Sequence, residues 1–284
     1  MQRVTNKKQT PSNTLLLSKA IGLVILTLIL IFIWDMSKTN MEAADQQEDV
    51  SVSSEFRDTS KSLKAKDDSK KTLNGHFKIN QDKKITDQTI FLTFDDGPSA
   101  SSNQLLNVLK AHDVKATFFM LGPQIKEYPA AVKRLHKEGH QLGLHGMTHD
   151  VKRFYKGDSP VNEMKENQRI LASVTDEYTN LVRTPYGSVP HLTDRQKTRL
   201  KQEGFIYWDW TIDSLDWKYK NSKYVPEVLN QLQVLETKYP KEPKIILLHD
   251  QPATATYLNR LITQLKAKGY HFAVLDETMK PLQQ

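Results

Sequence analysis

The chain has 284 residues, of which 38% are hydrophobic, and a formal net charge of +7 at pH 7. It has no cysteine, so disulfide bonds and thiolate metal sites are excluded, and a metal ion could be held only by His, Asp or Glu. The basic excess favours an anionic environment such as a wall polymer or lipid headgroups. The sequence has no dense Lys/Arg tract and no aromatic-basic RNA-binding signature, so it predicts no nucleic-acid partner.

The first predicted element is an apolar segment near the start of the chain. Residues 15–34 form an apolar run that only Lys19 interrupts, which is long enough for a helix to cross the hydrocarbon core of a membrane. Trp34 suits the outer interface, and residues 1–14 are basic without any acid, which predicts a cytoplasmic tail. A cleaved signal peptide is the alternative, but no A-x-A-like site follows closely. We therefore expect an uncleaved transmembrane anchor.

Residues 35–82 are predicted to form an extracellular linker. They are rich in Ser, Asp, Glu, Lys and Gln, and their only aromatic residues are Phe56 and Phe77. Such a segment cannot bury enough apolar surface to offset the entropy that is lost on ordering. We therefore expect a single-pass membrane protein whose folded domain, residues 83–284, lies outside the cell.

In the folded domain, short apolar runs alternate with amphipathic segments. Strands are predicted at residues 89–94, 116–121, 141–145, 180–183, 205–210, 244–249 and 271–275. Helices are predicted between them at residues 103–112, 129–139, 159–174, 193–204, 225–238 and 255–269. This alternation is typical of βα units with a parallel sheet. The domain is short for eight full units, so we expect an α/β fold, a distorted (β/α) barrel of about seven to eight parallel strands.

Ionisable side chains follow five of the predicted strands, at the carboxyl ends where (β/α) barrels build their active sites. In chain order, these positions are Asp95 and Asp96, then His145 and His149, then Arg183, then Asp213 to Trp217, and then His249. The adjacent aspartates are the most informative, because like charges repel and a turn needs only one Asp before its Gly. The pattern predicts one chemical site at this face.

His145 and His149 are ambiguous alone, because histidines one helical turn apart are also common on surfaces. A zinc-protease motif would need Glu at the position of Gly146, which argues against that class. Together with one aspartate, the two imidazoles give three ligands and open coordination positions, which is typical of a catalytic zinc site. The other aspartate would remain free as a base. The sequence therefore predicts one divalent metal ion, with Zn²⁺ as the best match.

Five motifs occur in the order "TFDDG", "HGMTH", "RTPYG", "DSLDW" and "LLH". In this order they resemble the motifs of the polysaccharide deacetylase family, carbohydrate esterase family four. The resemblance extends from about Thr89 to Leu275, which is essentially the whole folded domain. It implies a distorted (β/α) barrel that removes acetyl groups from N-acetylated sugars with the help of a metal ion.

The resemblance also implies roles for individual residues. Asp96, His145 and His149 match the metal ligands of the family. Asp95 matches its catalytic base, and Arg183 matches the residue that pairs with this base and orients it.

Further roles follow from the same resemblance. The backbone N–H of Tyr186 would bind the tetrahedral oxyanion, and Leu247 would line the pocket of the acetyl methyl group, with Trp217 nearby. His249 would be the general acid, tuned by Asp213.

One position departs from the family pattern. Gly146 stands where the family usually has Ser or Thr, whose hydroxyl braces the loop between the two histidines. We therefore expect a less rigid loop or weaker metal binding. This departure is the one feature that supports a non-catalytic wall-binding module as an alternative.

The expected topology also narrows the substrate. A tethered domain outside a bacterial membrane meets wall glycan first. The resemblance, which extends to wall-associated deacetylases of Gram-positive cocci, implies N-acetylglucosamine of peptidoglycan or of the linkage unit of a wall polysaccharide as the leading substrate. An esterase acting on O-acetyl xylan would use the same machinery and remains open as an alternative. The expected partners are therefore the glycan and the membrane, and no obligate protein partner is implied.

Overall fold

The computed structural model describes residues 85–284 of the chain, and the structural statements below refer to these residues. Its strands are β1 (Thr89–Asp95), β2 (Thr117–Met120), β3 (Gln141–Leu144), β4 (Leu181–Val182), β5 (Ile206–Tyr207), β6 (Ile212–Asp213), β7 (Lys244–His249) and β8 (His271–Ala273). Its helices are α1 (Ser102–Ala111), α2 (Gly122–Glu127), α3 (Pro129–Lys137), α4 (Val151–Phe154), α5 (Ser159–Thr175), α6 (Asp194–Gln202), α7 (Asp216–Tyr219), α8 (Tyr224–Lys238) and α9 (Pro252–Ala267). The predicted alternation of strands and helices is confirmed.

The strands form one barrel-like parallel sheet with β1 at its centre. The order along the sheet is β5-β4-β3-β2-β1-β7-β6, and β8 pairs with β1 beside this path. β7 pairs with Ile90–Asp95 along one edge of β1. On the other edge of β1, β8 pairs with the first half of the strand, which starts at Thr89. β2 pairs with the second half, which starts at Thr93. β1 thus has three partner strands, and the expected barrel-like α/β fold of parallel strands is confirmed.

The pairings leave β5 and β6 at the two ends of the sheet. The end of the chain lies against the connection between these strands, where the backbone N–H of Asp209 donates to the Leu282 carbonyl over 2.9 Å. Leu282 and Met279 also pack against the smaller of two apolar clusters. The C-terminal segment therefore covers the place where the strand pairing is interrupted.

Alternation along the strands decides which side chains face the interior of the barrel. The even-numbered residues of β1 pack in the larger apolar cluster, together with the helices, whereas Phe91 packs in the smaller inner cluster. Because strand side chains alternate between faces, Thr93 and Asp95 share the inner face with Phe91. The same parity in β7 turns Leu247 and His249 inward. The polar residues of the motifs are thus gathered at one end of the interior.

Four short elements are missing from the sequence prediction, namely α2, α4, α7 and β6. Each has six residues or fewer, which is too short to present a recognisable hydrophobic period. The predicted strand at 205–210 is also shorter in the structure, because only Ile206–Tyr207 pairs with β4. The helix starting after Thr193 is confirmed, and Thr193 and Gln196 form a reciprocal capping box.

Within residues 85–284, no helix combines the length and the apolar character that crossing a membrane requires. The predicted tail at 1–14, anchor at 15–34 and linker at 35–82 lie outside the described residues. These boundaries, and the domain start at residue 83, therefore stay predictions.

Candidate active site

A cavity of about 330 Å³ opens at the carboxyl ends of the strands. Its lining residues are Asp95, Asp96, His145, His149, Tyr186, Trp210, Asp213, Trp217, Leu247 and His249. Nine of the ten side chains that the sequence singled out therefore meet in one place. The tenth, Arg183, is fully buried next to Asp95. Trp210 is the lining residue that the sequence reasoning missed, since it carries no ionisable group and lies outside the five motifs.

Three of these residues form a candidate metal site. Oδ1 of Asp96 lies 3.4 Å from Nε2 of His145 and 3.3 Å from Nε2 of His149. Donor atoms that bind Zn²⁺ tetrahedrally at about 2.0–2.2 Å lie about 3.3–3.6 Å apart, so these spacings fit the ion. The same Asp96 oxygen is buried and finds no hydrogen-bond partner among the described residues. Donor type, spacing and this unpartnered oxygen all fit a divalent cation.

The charge balance at this site also favours a cation. Burial opposes a charged imidazole at His145, but Asp95 and Asp96 outweigh it and raise the pKa of His145 above its ordinary value. Burial lowers the pKa of His149, which favours the neutral form that a metal requires. Nδ1 of His145 lies 2.7 Å from the Arg183 carbonyl, which fixes the ring and leaves Nε2 to face Asp96.

The loop between the two histidines is braced in an unexpected way. Gly146 has φ +87°, and a Cβ there would lie 2.7 Å from the Phe154 ring and 3.2 Å from Oε2 of Glu163. Glu163 accepts hydrogen bonds from the backbone N–H groups of Met147 and Thr148 over 2.8 and 2.7 Å, and from the Thr148 hydroxyl over 2.7 Å. The expectation that Gly146 leaves this loop unbraced is therefore wrong, because Glu163 braces it and needs the space.

Asp95 is held by a buried guanidinium. Nη1 of Arg183 donates to Oδ1 of Asp95 over 2.9 Å and lies 2.7 Å from the Thr93 hydroxyl. Nε and Nη2 donate to the carbonyls of Trp208 and Asp209, each over 3.1 Å. A planar guanidinium tied at four points has little freedom, so it fixes the carboxylate. This geometry is what an orienting role requires.

The partner of His249 differs from the predicted one. Nδ1 of His249 lies 2.7 Å from Oδ1 of Asp216, and its backbone N–H donates to Oδ2 of Asp216 over 2.8 Å. Asp213 instead accepts a hydrogen bond from the N–H of Leu215 over 2.9 Å and shapes the turn between the two acids. Both acids stand in "DSLDW", and the turn carries the second of them to His249.

This contact sets the charge of His249. Burial lowers the pKa of an imidazole, but the hydrogen bond and the negative charge of Asp216 outweigh it and raise the pKa of His249 to about 9. His249 is therefore protonated at neutral pH and can donate a proton from the ring nitrogen that does not contact Asp216.

Residues 82–207 match the family model of polysaccharide deacetylases. The chain is 47% identical over 281 residues to the putative polysaccharide deacetylase YheN of Bacillus subtilis, and the match covers 99% of each chain. The chain belongs to the polysaccharide deacetylase family.

Two further relatives of this deacetylase come from Bacillus cereus. A peptidoglycan-N-acetylglucosamine deacetylase is 43% identical over 188 residues, which is 66% of this chain and 69% of the relative. The crystal structure of the polysaccharide deacetylase Bc1974 superposes with a TM-score of 0.62 at 42% identity, covering 69% of this chain and 95% of that chain. The barrel-like fold is thus shared with solved members of the family.

Asp250 is a further residue of this deacetylase that the sequence reasoning did not single out. Its carboxylate accepts hydrogen bonds from the hydroxyls of Ser99 and Ser102, and its backbone N–H donates to the Asp95 carbonyl over 2.9 Å. A Cβ at Gly97 would lie 2.6 Å from Oδ2 of Asp250, so glycine is required there. Asp250 thus holds the loop that carries Asp95 and Asp96. Its position directly after His249 is the sequence feature that could have indicated a role near the site.

The remaining predicted residues lie at the wall and the mouth of the deacetylase cavity. Leu247 is buried in the wall. Tyr186 and Trp217 are about half exposed, at 51% and 48%, and their rings therefore reach the solvent at the mouth. The ring of Tyr186 lies 4.4 Å from that of His149. An apolar wall and two exposed aromatic side chains suit a sugar that carries an acetyl group.

Proposed function

We propose that the protein hydrolyses the acetamide of N-acetylglucosamine residues in cell-wall glycan and releases acetate. The observation that carries this proposal is the arrangement of one cavity. In this cavity, Asp95, which is paired with the buried Arg183, lies beside the cluster of three candidate metal ligands. Protonated His249 lines the same cavity. The printed activity of the Bacillus cereus relative, peptidoglycan-N-acetylglucosamine deacetylase, supports the choice of glycan.

Asp96, His145 and His149 would hold the divalent cation, with Zn²⁺ as the proposed ion. When bound, such an ion polarises a carbonyl and lowers the pKa of water. One carboxylate donor and two imidazole donors lie close together in this site, and this set of donors favours such an ion.

The side chains of this protein would handle the protons of the reaction. Asp95, oriented by Arg183, would take a proton from the attacking water. His249 would give its proton to the departing nitrogen, so that a free amine leaves together with acetate. The backbone N–H of Tyr186 would donate to the developing oxyanion, a contribution that can reach about 3 kcal/mol per donor.

The proposal includes a location. The protein would be anchored in the cell membrane of a Gram-positive bacterium by residues 15–34, with the catalytic domain outside. The apolar run, the basic residues before it and the polar linker after it support this arrangement.

Acetate release from purified peptidoglycan and from chito-oligosaccharides tests the activity. We expect acetate and free amine in equal amounts, loss of activity with a chelator and recovery with Zn²⁺. Asp95→Asn should lower turnover by roughly a thousandfold while the zinc content stays the same, because general base catalysis is lost but no ligand is removed.

Asp158→Asn is the matched control, since Asp158 does not line the cavity and its carboxylate pairs with Arg195 at the surface. Retained turnover in Asp95→Asn would contradict the role of Asp95 as the base. Faster release from O-acetyl xylan than from N-acetylated glycan would assign the esterase activity instead. A purified chain that holds no stoichiometric zinc and shows no turnover would support the alternative of a non-catalytic wall-binding module.

A further inference from the structure

Tyr155, which directly follows α4, reaches the turn that contains Tyr186. Its hydroxyl lies 2.6 Å from the Pro185 carbonyl and 2.7 Å from the Gly187 carbonyl. A hydroxyl has one proton, so the two carbonyls share it. The two acceptors flank Tyr186 on both sides, and one side chain from a distant part of the chain therefore clamps this residue.

The clamped turn has an unusual backbone. Tyr186 has φ +63° and Gly187 has φ +87°. The left-handed region costs a non-glycine residue roughly 1–3 kcal/mol and persists only where the surroundings enforce it. Within the turn, the N–H of Gly187 donates to the Thr184 carbonyl over 3.0 Å. Tyr155 restrains the turn from outside at both neighbours of Tyr186, whereas the Tyr186 hydroxyl donates to the His149 carbonyl over 3.2 Å and the N–H of Ser188 donates to Asp209 over 2.9 Å.

The contact with Pro185 bears directly on the N–H of Tyr186. The Pro185 carbonyl and the Tyr186 N–H are two ends of one planar amide, and this peptide bond is not among the two cis bonds of the described chain. In a trans amide the two groups point in opposite directions. Donation to the carbonyl therefore orients the N–H away from Tyr155 and, by polarising the amide, makes it a stronger donor.

We infer that Tyr155 is a positioning residue that holds the Tyr186 N–H in place for the oxyanion. This inference rests on the proposed function, in which that N–H meets the developing negative charge. Tyr155 does not line the cavity and has no contact with the substrate in this scheme. It acts through the amide between Pro185 and Tyr186.

The hydroxyl of Tyr155 can be removed without disturbing its ring. The ring is half-buried, with its centroid 4.9 Å from that of Phe154 and 5.0 Å from that of His191. The backbone carbonyl of Tyr155 accepts a hydrogen bond from the side chain of Gln196 over 2.9 Å. Tyr155→Phe keeps the ring and backbone contacts and removes the hydroxyl, and with it the two hydrogen bonds of the clamp.

The test compares Tyr155→Phe with the wild type and with Tyr239→Phe, whose tyrosine is 60% exposed. For acetate release from chito-oligosaccharide, we expect kcat to fall by about 10- to 100-fold in Tyr155→Phe, because the oxyanion donor is misplaced. KM, zinc content and the melting temperature should stay close to those of the wild type. Tyr239→Phe should match the wild type throughout.

A second measurement is independent of turnover. With ¹⁵N-labelled tyrosine, the amide proton resonance of Tyr186 should move to lower chemical shift in Tyr155→Phe, since the polarising hydrogen bond is gone. An unmoved resonance, or an unchanged kcat in an active enzyme, would overturn the inference. A rise in KM or a loss of zinc would also overturn it. A wild type that releases no acetate would refute the proposed function, and the amide resonance would still decide the clamp.

Discussion

Asp216 is the residue that ties the general acid candidate to the fold. It is fully buried, and its two oxygens accept hydrogen bonds from His249, from the N–H of Trp217 and from the hydroxyl of Thr254. Burial favours the neutral acid, but these hydrogen bonds and the charge of His249 outweigh it and hold the pKa of Asp216 below its usual range. The pair therefore behaves as a carboxylate and an imidazolium.

Asp216→Asn tests this pair. Without the negative charge, the pKa of His249 should fall from its raised value, so His249 loses its proton at lower pH. Because the protonated imidazole is the active form, activity declines as the pH rises through this pKa. The alkaline limb of kcat/KM should therefore move to lower pH in the variant, as measured by a pH profile of acetate release.

Asp213→Asn is the matched control for this prediction, because Asp213 lines the cavity but does not bond His249. It should move the alkaline limb less than Asp216→Asn does. An equal shift in the two variants would contradict the assignment of Asp216 as the residue that tunes His249.

At the scale of elements, α5 positions the metal-binding loop. Glu163 and Asn167 lie one turn apart on this helix, so their side chains reach neighbouring points of the loop after β3. The side-chain amide of Asn167 donates to the carbonyls of Met120 and Gly146 over 2.6 and 2.8 Å. The helix thus joins the ends of β2 and β3 to the loop that carries both histidines.

Gly146→Ser tests whether this brace replaces the hydroxyl that is usual in the family. We expect the serine to destabilise the protein, because a positive φ costs about 1–2 kcal/mol and the contact with Phe154 adds about 1–3 kcal/mol of overpacking. The displaced loop should also bind zinc more weakly. Denaturant unfolding and zinc titration measure the two effects.

Gly157→Ser supplies the control for Gly146→Ser. Gly157 also has a positive φ, +57°, but a Cβ there meets nothing within 4 Å, so only the conformational cost remains. If Gly146→Ser were as stable as this control, or bound zinc more tightly than the wild type, the brace would not be the reason for the glycine.

For the whole molecule, the sequence predicted the features that depend on local periodicity. The long helices and the strands around β1 and β7 show clear patterns, and alternation then implies a parallel sheet with its polar residues at one end. Asp95, His145 and His249 reached the cavity for this reason. Local patterns and motif order do not report which of two acids in a turn reaches a neighbour. The resemblance implies Asp213 as the partner of His249, whereas the structure places Asp216 there.

The same limit applies to contacts between distant segments. Glu163, Asp250 and Tyr155 each hold a loop that belongs to another part of the chain. No spacing within one motif indicates these pairings, because they depend on how helices and strands pack. The sequence therefore identified the residues of the chemistry better than the residues that support them.

Membrane attachment is the prediction that concerns the full chain. In a Gram-positive host, the complete protein should sediment with membranes and resist extraction by high salt. A variant lacking residues 1–34 should be soluble and should keep its activity on soluble chito-oligosaccharides. Recovery from the medium of a product that lacks residues 1–34 would instead show a cleaved signal peptide.

The divided edge of β1 has a consequence for how the domain is made. Thr89 pairs with His271 and Ile90 with Lys244, so the first strand of the domain depends on segments that lie far downstream in the chain. Such remote partners slow folding, because loop closure must precede any gain from pairing. Before β7 and β8 are in place, β1 has only β2 as a partner strand, and losing β8 should leave the whole domain vulnerable to proteases.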